Sequence, residues 1–136
     1  MRVSTIMHAA FGTLTIDGLT APFSSSPPFR NTDLVMTVTG DDLVIRTGVN
    51  MGPVKVDLER CPSEPEPDDD GTWDDVVEVV GRATAGVPVS VHGPTEMPPD
   101  EVRELSDAGH ERVTMRIHAA SRSEARDLAV SEPTER

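Results

Sequence analysis

The feature that most constrains this chain is a succession of short β-branched runs, each ended by turn residues. The segment GTLTIDG at 12–18 alternates Leu14 and Ile16 with polar residues between two glycines. Such alternation is typical of a half-buried strand. The same pattern returns at GPVKVDLER (52–60) and ERVTMRIHAAS (111–121). The sequence therefore predicts an all-β protein.

Seven or eight short strands at this spacing predict an antiparallel β-sandwich of jelly-roll type, or an open barrel. The clearest hairpin is expected where Gly40, Asp41 and Asp42 separate two apolar runs, and a second one is expected around Gly12. At most one short helix is expected, at 98–110. The predicted strands are 2–9, 12–18, 33–40, 41–48, 52–60, 72–83, 86–93 and 111–121.

The domain organisation follows from length and from two irregular segments. A chain of 136 residues fits one domain, and we expect a single β domain over 1–125 with an acidic loop at 61–72. The Pro- and Ser-rich segment 19–33 is predicted to be a loop. The last residues, 126–136, show no sustained apolar face and are expected to be a loose tail.

Net charge limits the possible partners. The chain carries 24 acidic and 12 basic residues, a formal charge of −12. This disfavours nucleic acid and anionic membranes, which need a basic surface, and is compatible with a protein partner that has a basic surface. The single Cys61 excludes an intramolecular disulfide, and no signal peptide or apolar run of membrane-spanning length is visible. We therefore expect a cytoplasmic location, in a bacterium judging by the Arg-rich composition.

Most of the negative charge lies in one stretch. Residues 57–78 hold ten acidic residues and only one basic residue, Arg60, a net charge of −9. Three prolines keep its first part extended. We predict that this stretch binds the basic partner; a solvated connection that guards a sheet edge and a calcium-binding loop are the alternatives. The predicted partner-binding residues are Glu64, Glu66, Asp68, Asp69, Asp70, Asp74 and Asp75.

No motif for a reaction is visible in the sequence. Nucleophile, phosphate-loop and dinucleotide signatures are missing, and the histidines lack metal-ligand spacing. We assign no catalytic residue, metal or cofactor. Convergence of His8, His92 and His118 from three strands would instead give a cupin-like metal-dependent enzyme. A small-molecule or carbohydrate-binding sandwich would depend on Phe23, Phe29 and Trp73.

Three segments carry a resemblance to known proteins: LVIRTGVNMGPVKVDLE (43–59), WDDVVEVVGRATAGVPVSVHG (73–93) and ERVTMRIHAASRSEA (111–125). In order and layout the chain resembles uncharacterised actinobacterial β-sandwich proteins. It is distantly similar to inhibitors of competence DNA-entry nucleases. This resemblance implies a small acidic protein-binding module, an inhibitor or immunity-type protein that blocks a basic nuclease or toxin. It supplies no catalytic residues.

The chain departs from that layout at two places. A longer segment, PPDEVRELSDAGHERV (98–113), stands where a short turn is usual, and the sequence stops at SEPTER where a further apolar strand usually follows. Without that strand, the sheet edge near Val113–His118 is expected to be open. An open edge can recruit a partner by strand addition.

Overall fold

The structure, a computed structural model, describes residues 2–20, 34–37, 43–61, 63, 66, 73–83, 87, 89–97, 112–126 and 128–136. The described residues form strands and no helix, and the helix expected at 98–110 lies outside them. The nine strands are β1 (Arg2–Ala9), β2 (Thr13–Asp17), β3 (Leu19–Thr20), β4 (Val35–Thr37), β5 (Leu43–Arg46), β6 (Gly52–Glu59), β7 (Asp75–Ala83), β8 (Ser90–His92) and β9 (Arg112–Ala119).

These strands pair into three antiparallel sheets, in the orders β1-β6, β4-β5-β2-β8 and β3-β7-β9. Within the described part of the chain the sheets do not close into a barrel. The predicted fold class, an all-β sandwich or open barrel, is confirmed. The predicted pairing of β4 with β5 also forms, with Val35 opposite Ile45 and Thr37 opposite Leu43, while the expected turn at Gly40, Asp41 and Asp42 lies outside the described residues.

The first twenty residues connect all three sheets. Between β1 and β2 the chain turns through Phe11 and Gly12, whose φ angles of 53° and 71° are the positive values that a two-residue hairpin turn requires. Only one bridge, Ala10 to Thr13, continues from that turn. The expected hairpin is therefore limited to its turn, because β1 pairs along its length with β6 while β2 pairs with β5 and β8.

A second change of sheet occurs at Gly18, which separates β2 from the two-residue strand β3. Its φ of 78° lies in the left-handed region that favours glycine. The bend moves Leu19 and Thr20 out of the four-stranded sheet and opposite Ala83 and Arg82 of β7. The sequence predicts a loop for these two residues, because the apolar–polar alternation of a strand cannot be recognised over only two positions.

The core is aliphatic and is built from the inward positions of the strands. Val77 and Val79 of β7 are fully buried, as is Leu43 of β5. On β6 the predicted alternation is confirmed: Val54 is buried, whereas Lys55 is exposed. Burying one such side chain stabilises the fold by about 1.5–3 kcal/mol. The partly buried residues packed against this core include Val56, Leu58, Val113, Met115 and Ile117.

The last described segment, 128–136, differs from the loose tail that the sequence predicts over 126–136. It runs parallel to the start of β6, because Met51 forms a parallel bridge with Ala129 and the Lys55 N–H donates to the Glu135 carbonyl. Arg136 then exchanges two backbone hydrogen bonds with Ala120, just after β9. The segment is thus hydrogen-bonded to both sheets that it touches.

A buried carboxylate anchors this segment. The side chain of Glu135 accepts hydrogen bonds from the Gly48 N–H, at 3.0 and 2.9 Å, and from the Val49 N–H, at 3.2 Å. Burial raises the pKa of Glu135, against the opposing effect of these hydrogen bonds and of Arg122. No local pattern predicts this role of Glu135, because Gly48 and Glu135 are far apart along the chain.

We predict that Glu135→Ala lowers the free energy of unfolding by about 2 kcal/mol, because two buried N–H groups lose their acceptor. Urea unfolding measures this change, and Glu132→Ala, which removes an exposed carboxylate three residues earlier, is the control. Equal unfolding midpoints for the two variants would show that the carboxylate does not anchor the segment.

Candidate functional site

A groove of about 1150 Å³ lies between β6 and β9. Its lining includes the apolar residues Val56 and Leu58 of β6 and Met115 and Ile117 of β9. Small-molecule pockets usually measure about 300–1,000 Å³. The groove is therefore large for a small molecule, and its walls are two strands rather than a ring of loops.

Both walls are edge strands. Among the described strands, β6 pairs only with β1, and β9 pairs only with β7. The expectation of an open edge near Val113–His118 stays a prediction. At one end of the groove, residues 135 and 136 bridge the two edges through Lys55 on β6 and Ala120 beyond β9. Beyond that bridge the groove continues along the rest of both strands.

Basic side chains are concentrated around this groove. Eight of the chain's twelve Lys and Arg residues line it, together with five acidic residues, so its lining is net positive in a protein of net charge −12. Arg116, Arg122 and Arg136 form ion pairs that hold them in place. The basic lining also includes Arg2, Arg46, Lys55, Arg60 and Arg112.

An aromatic cluster stands at the bridged end of the groove. The ring of Trp73 lies 5.4 Å from that of His118, and the guanidinium of Arg136 stacks 5.1 Å above the Trp73 ring. Arg136 also forms an ion pair with Asp57 of β6 at 2.6 Å. A hydrogen bond from Ser4, followed by the hydrogen bond and charge of Arg136, lowers the pKa of Asp57. Trp73 is half-buried and lines the groove.

The structure places three of the seven predicted partner-binding residues. Glu66 is exposed and lines the groove. Asp74 accepts a hydrogen bond from the Ser121 N–H at 2.8 Å, and Asp75 forms an ion pair with Arg122 at 2.9 Å. Both aspartates therefore tie the start of β7 to the segment after β9. The other predicted residues lie outside the described ranges: Glu64, Asp68, Asp69 and Asp70.

The histidines occupy two different environments. His118 packs against Trp73, whereas His8 lies 3.5 Å from the carboxylate of Glu96, which also acts electrostatically on His92. Within the described ranges, no three His, Cys, Asp or Glu side chains meet in an arrangement that would hold a metal ion. The structure therefore gives no support to a site shared by His8, His92 and His118.

His92 forms the shortest of these contacts. Its Nε2 lies 2.6 Å from the Asp17 carboxylate and its Nδ1 2.7 Å from the Gly93 carbonyl. Burial opposes the charged form of the ring, but the hydrogen bonds to Gly93 and Asp17 outweigh it and raise the pKa of His92. A protonated ring donates from both nitrogens, which suits the two oxygen acceptors.

Apart from Glu66, the groove residues were not predicted from the sequence as partner-binding residues. The alternation at 111–121 predicts that Arg112, Thr114, Arg116 and His118 lie on the polar face of a strand. What brings these cations beside Lys55 is the packing of two sheets.

The described part of the chain holds no helix that is both long enough and apolar enough to cross a membrane.

A scan against protein-family models finds no family that matches this chain, and searches of curated proteins and of solved structures find no significant match.

We predict that the Asp17–His92 pair contributes stability at low pH. Because the folded-state pKa of His92 is raised above 6.5, this contribution is fully present below that pH and is lost as pH rises through the folded-state value. Asp17→Asn should lower the pKa of His92, measured by NMR titration of the ring. It should also destabilise the protein more at pH 5.5, about one unit below the ordinary value, than at pH 8, about one and a half units above it.

Glu132→Gln, which removes an exposed carboxylate elsewhere, should leave the His92 titration unchanged. An unaltered His92 pKa in Asp17→Asn would contradict the assignment.

Proposed function

We propose that this protein is a small acidic protein-binding module of the cytoplasm that engages a basic protein partner through the segment 61–72. The partner is a nuclease or toxin that the module blocks, as an inhibitor or immunity-type protein does. Docking is electrostatic: carboxylates of the segment match cations on the partner, so that the charge accelerates association and sets specificity. No reaction is involved.

The observation that supports this proposal is that some acidic residues of 57–78 have partners within the protein, while most of the others lie in 64–70. Asp57, Asp74, Asp75 and Glu78 are engaged inside the protein, by Arg136, the Ser121 N–H, Arg122 and Arg116, respectively. The remaining acids concentrate in 64–70, which holds five acidic residues and no basic one. A partner would therefore meet the charge of this short stretch first.

The ion pairs also indicate what the flanking acids do. Arg116 and Arg122 are each only 7% exposed, and their partners Glu78 and Asp75 are 17% and 25% exposed. Removing one member of such a pair leaves a poorly solvated charge behind. We therefore assign Asp75 a structural role in addition to its proposed place at the margin of the binding surface, and we place the main contact at Glu64, Glu66, Asp68, Asp69 and Asp70.

We predict that the double variant Asp69→Asn/Asp70→Asn weakens binding to a basic partner about tenfold, mainly through a slower association rate. A panel of purified basic bacterial nucleases and toxins, screened by biolayer interferometry at low and high salt, supplies the partner. The salt dependence of the association rate should be smaller for the variant than for the wild type.

The matched control is Glu124→Gln/Glu132→Gln, which removes the same amount of charge from exposed positions outside 57–78. Equal association rates for the wild type and both double variants would reject the acidic segment as the docking surface. The absence of binding and of inhibition across the panel would reject the proposed class of partner.

A further inference from the structure

We propose that Arg136 is a positioning residue, whose guanidinium holds together the two stretches of chain between which the acidic segment 61–72 runs. Its contacts are with Asp57, before that segment, and with Trp73, directly after it. The inference rests on the proposed function, because it concerns how the acidic segment is presented to a partner. Arg136 would thus contribute to docking without itself touching the partner.

The two stretches belong to different sheets. β6, which precedes the acidic segment, pairs with β1, whereas β7, which follows it, pairs with β3 and β9. Among the described strands, therefore, no ladder of backbone hydrogen bonds joins β6 to β7, as it would join the two strands of a hairpin. Other contacts must set the separation of the two stretches.

On the β6 side, the contact is an ion pair with a carboxylate that is itself held in place. Nε and one terminal nitrogen of Arg136 each lie 2.6 Å from Oδ2 of Asp57, while Oδ1 accepts a hydrogen bond from the Ser4 hydroxyl. Ser4 is the cross-strand neighbour of Asp57 on β1. Because both oxygens of Asp57 are engaged, this carboxylate is a fixed acceptor on the two-stranded sheet.

On the β7 side, the contact is a cation stacked on an aromatic ring. The guanidinium of Arg136 lies 5.1 Å from the centre of the Trp73 ring, within the range of a cation–π interaction. The same ring packs 5.4 Å from that of His118 on β9. The neighbouring Asp74 N–H donates to the Ala119 carbonyl at 2.9 Å. Trp73 is therefore tied to the three-stranded sheet.

The backbone that carries the Arg136 side chain is fixed as well. Arg136 exchanges two hydrogen bonds with Ala120, at 2.8 and 3.1 Å, and the Glu135 carbonyl accepts from the Lys55 N–H at 3.2 Å. A partly exposed ion pair alone contributes little, because two long side chains lose freedom when they meet. The Arg136 side chain is 44% exposed, but its anchored backbone and its second contact reduce that loss.

A fixed separation of Asp57 and Trp73 favours docking because it limits the conformations open to the chain between them. Binding loses less entropy when the binding segment is already restrained at both ends. Glu66, one of the predicted partner-binding residues, lines the same groove as Asp57, Trp73 and Arg136. Loss of the Arg136 contacts should therefore slow association although every acidic residue of 61–72 is still present.

The chain supplies its own reporter pair for this separation. Trp73 is the only Trp, and the exposed Cys61 is the only Cys. Time-resolved energy transfer from Trp73 to an AEDANS group on Cys61 gives the distribution of distances across the acidic segment without any partner. We predict that Arg136→Gln makes this distribution about twofold broader.

Three further variants give this measurement its specificity. Arg136→Lys keeps a cation for both contacts and should return the width at least about halfway to the wild-type value. Asp57→Asn removes the ion pair and should also broaden the distribution. Arg82→Gln, which removes an exposed arginine that does not line the groove, is the matched control and should keep the wild-type width.

Association is then measured by biolayer interferometry with a basic protein that binds the wild type. Arg136→Gln and Arg82→Gln make the protein more negative by the same amount, and this charge by itself would accelerate association with a basic partner. We nevertheless expect Arg136→Gln to associate about threefold more slowly than the wild type, whereas Arg82→Gln should not be slower. A slower rate for Arg136→Gln alone therefore reports positioning and not charge.

Equal widths for the wild type and Arg136→Gln, or equal widths for Arg136→Lys and Arg136→Gln, would overturn the inference. A broader distribution without slower association would overturn it as well. If no basic protein of the panel binds the wild type, the proposed function fails, while the distance distribution still decides whether Arg136 holds the two stretches together. If circular dichroism shows that Arg136→Gln does not fold, Asp57→Asn decides in its place.

Discussion

The hydrogen bonds between the buried Glu135 carboxylate and the Gly48 and Val49 amides hold the arrangement of the two smaller sheets. They fix residues 128–136 beside the start of β6, from where Arg136 reaches the end of β9. A strand-like segment bonded on both sides sets the separation of the strands that flank it, because neighbouring strands lie about 4.7–4.9 Å apart. The bridge formed by residues 135 and 136 sets the spacing of β6 and β9 at that end of the groove.

In two places the local charge differs from the negative net charge of the chain. Acidic residues flanking 64–70 are matched by arginines of the second half of the protein, as with Asp75 and Arg122. The cations that line the groove stand in a protein of net charge −12. The acidic segment and the basic lining of the groove therefore differ in local charge, although Glu66 belongs to both.

Much of the strand content was predictable, because alternation of apolar and polar residues reports directly on a half-buried strand. β6, β7 and β9 were identified in this way, as was the β4-β5 pair with its turn-forming residues. The partners of β1 and β2 were not, since Gly12 and Gly18 redirect the chain between sheets. A local pattern records which face is buried but does not record which distant strand lies beside it.

By itself, the sequence determined the all-β class, the inward faces of the long strands and the local concentration of acid. Each depends on residues that are close along the chain. Only the tertiary structure decided that the Glu135 carboxylate accepts from the Gly48 N–H, that Trp73 contacts both His118 and Arg136, and that β6 and β9 flank one groove. Such contacts arise from the packing of separate sheets, because hydrogen bonding and burial must be satisfied over the whole fold at once.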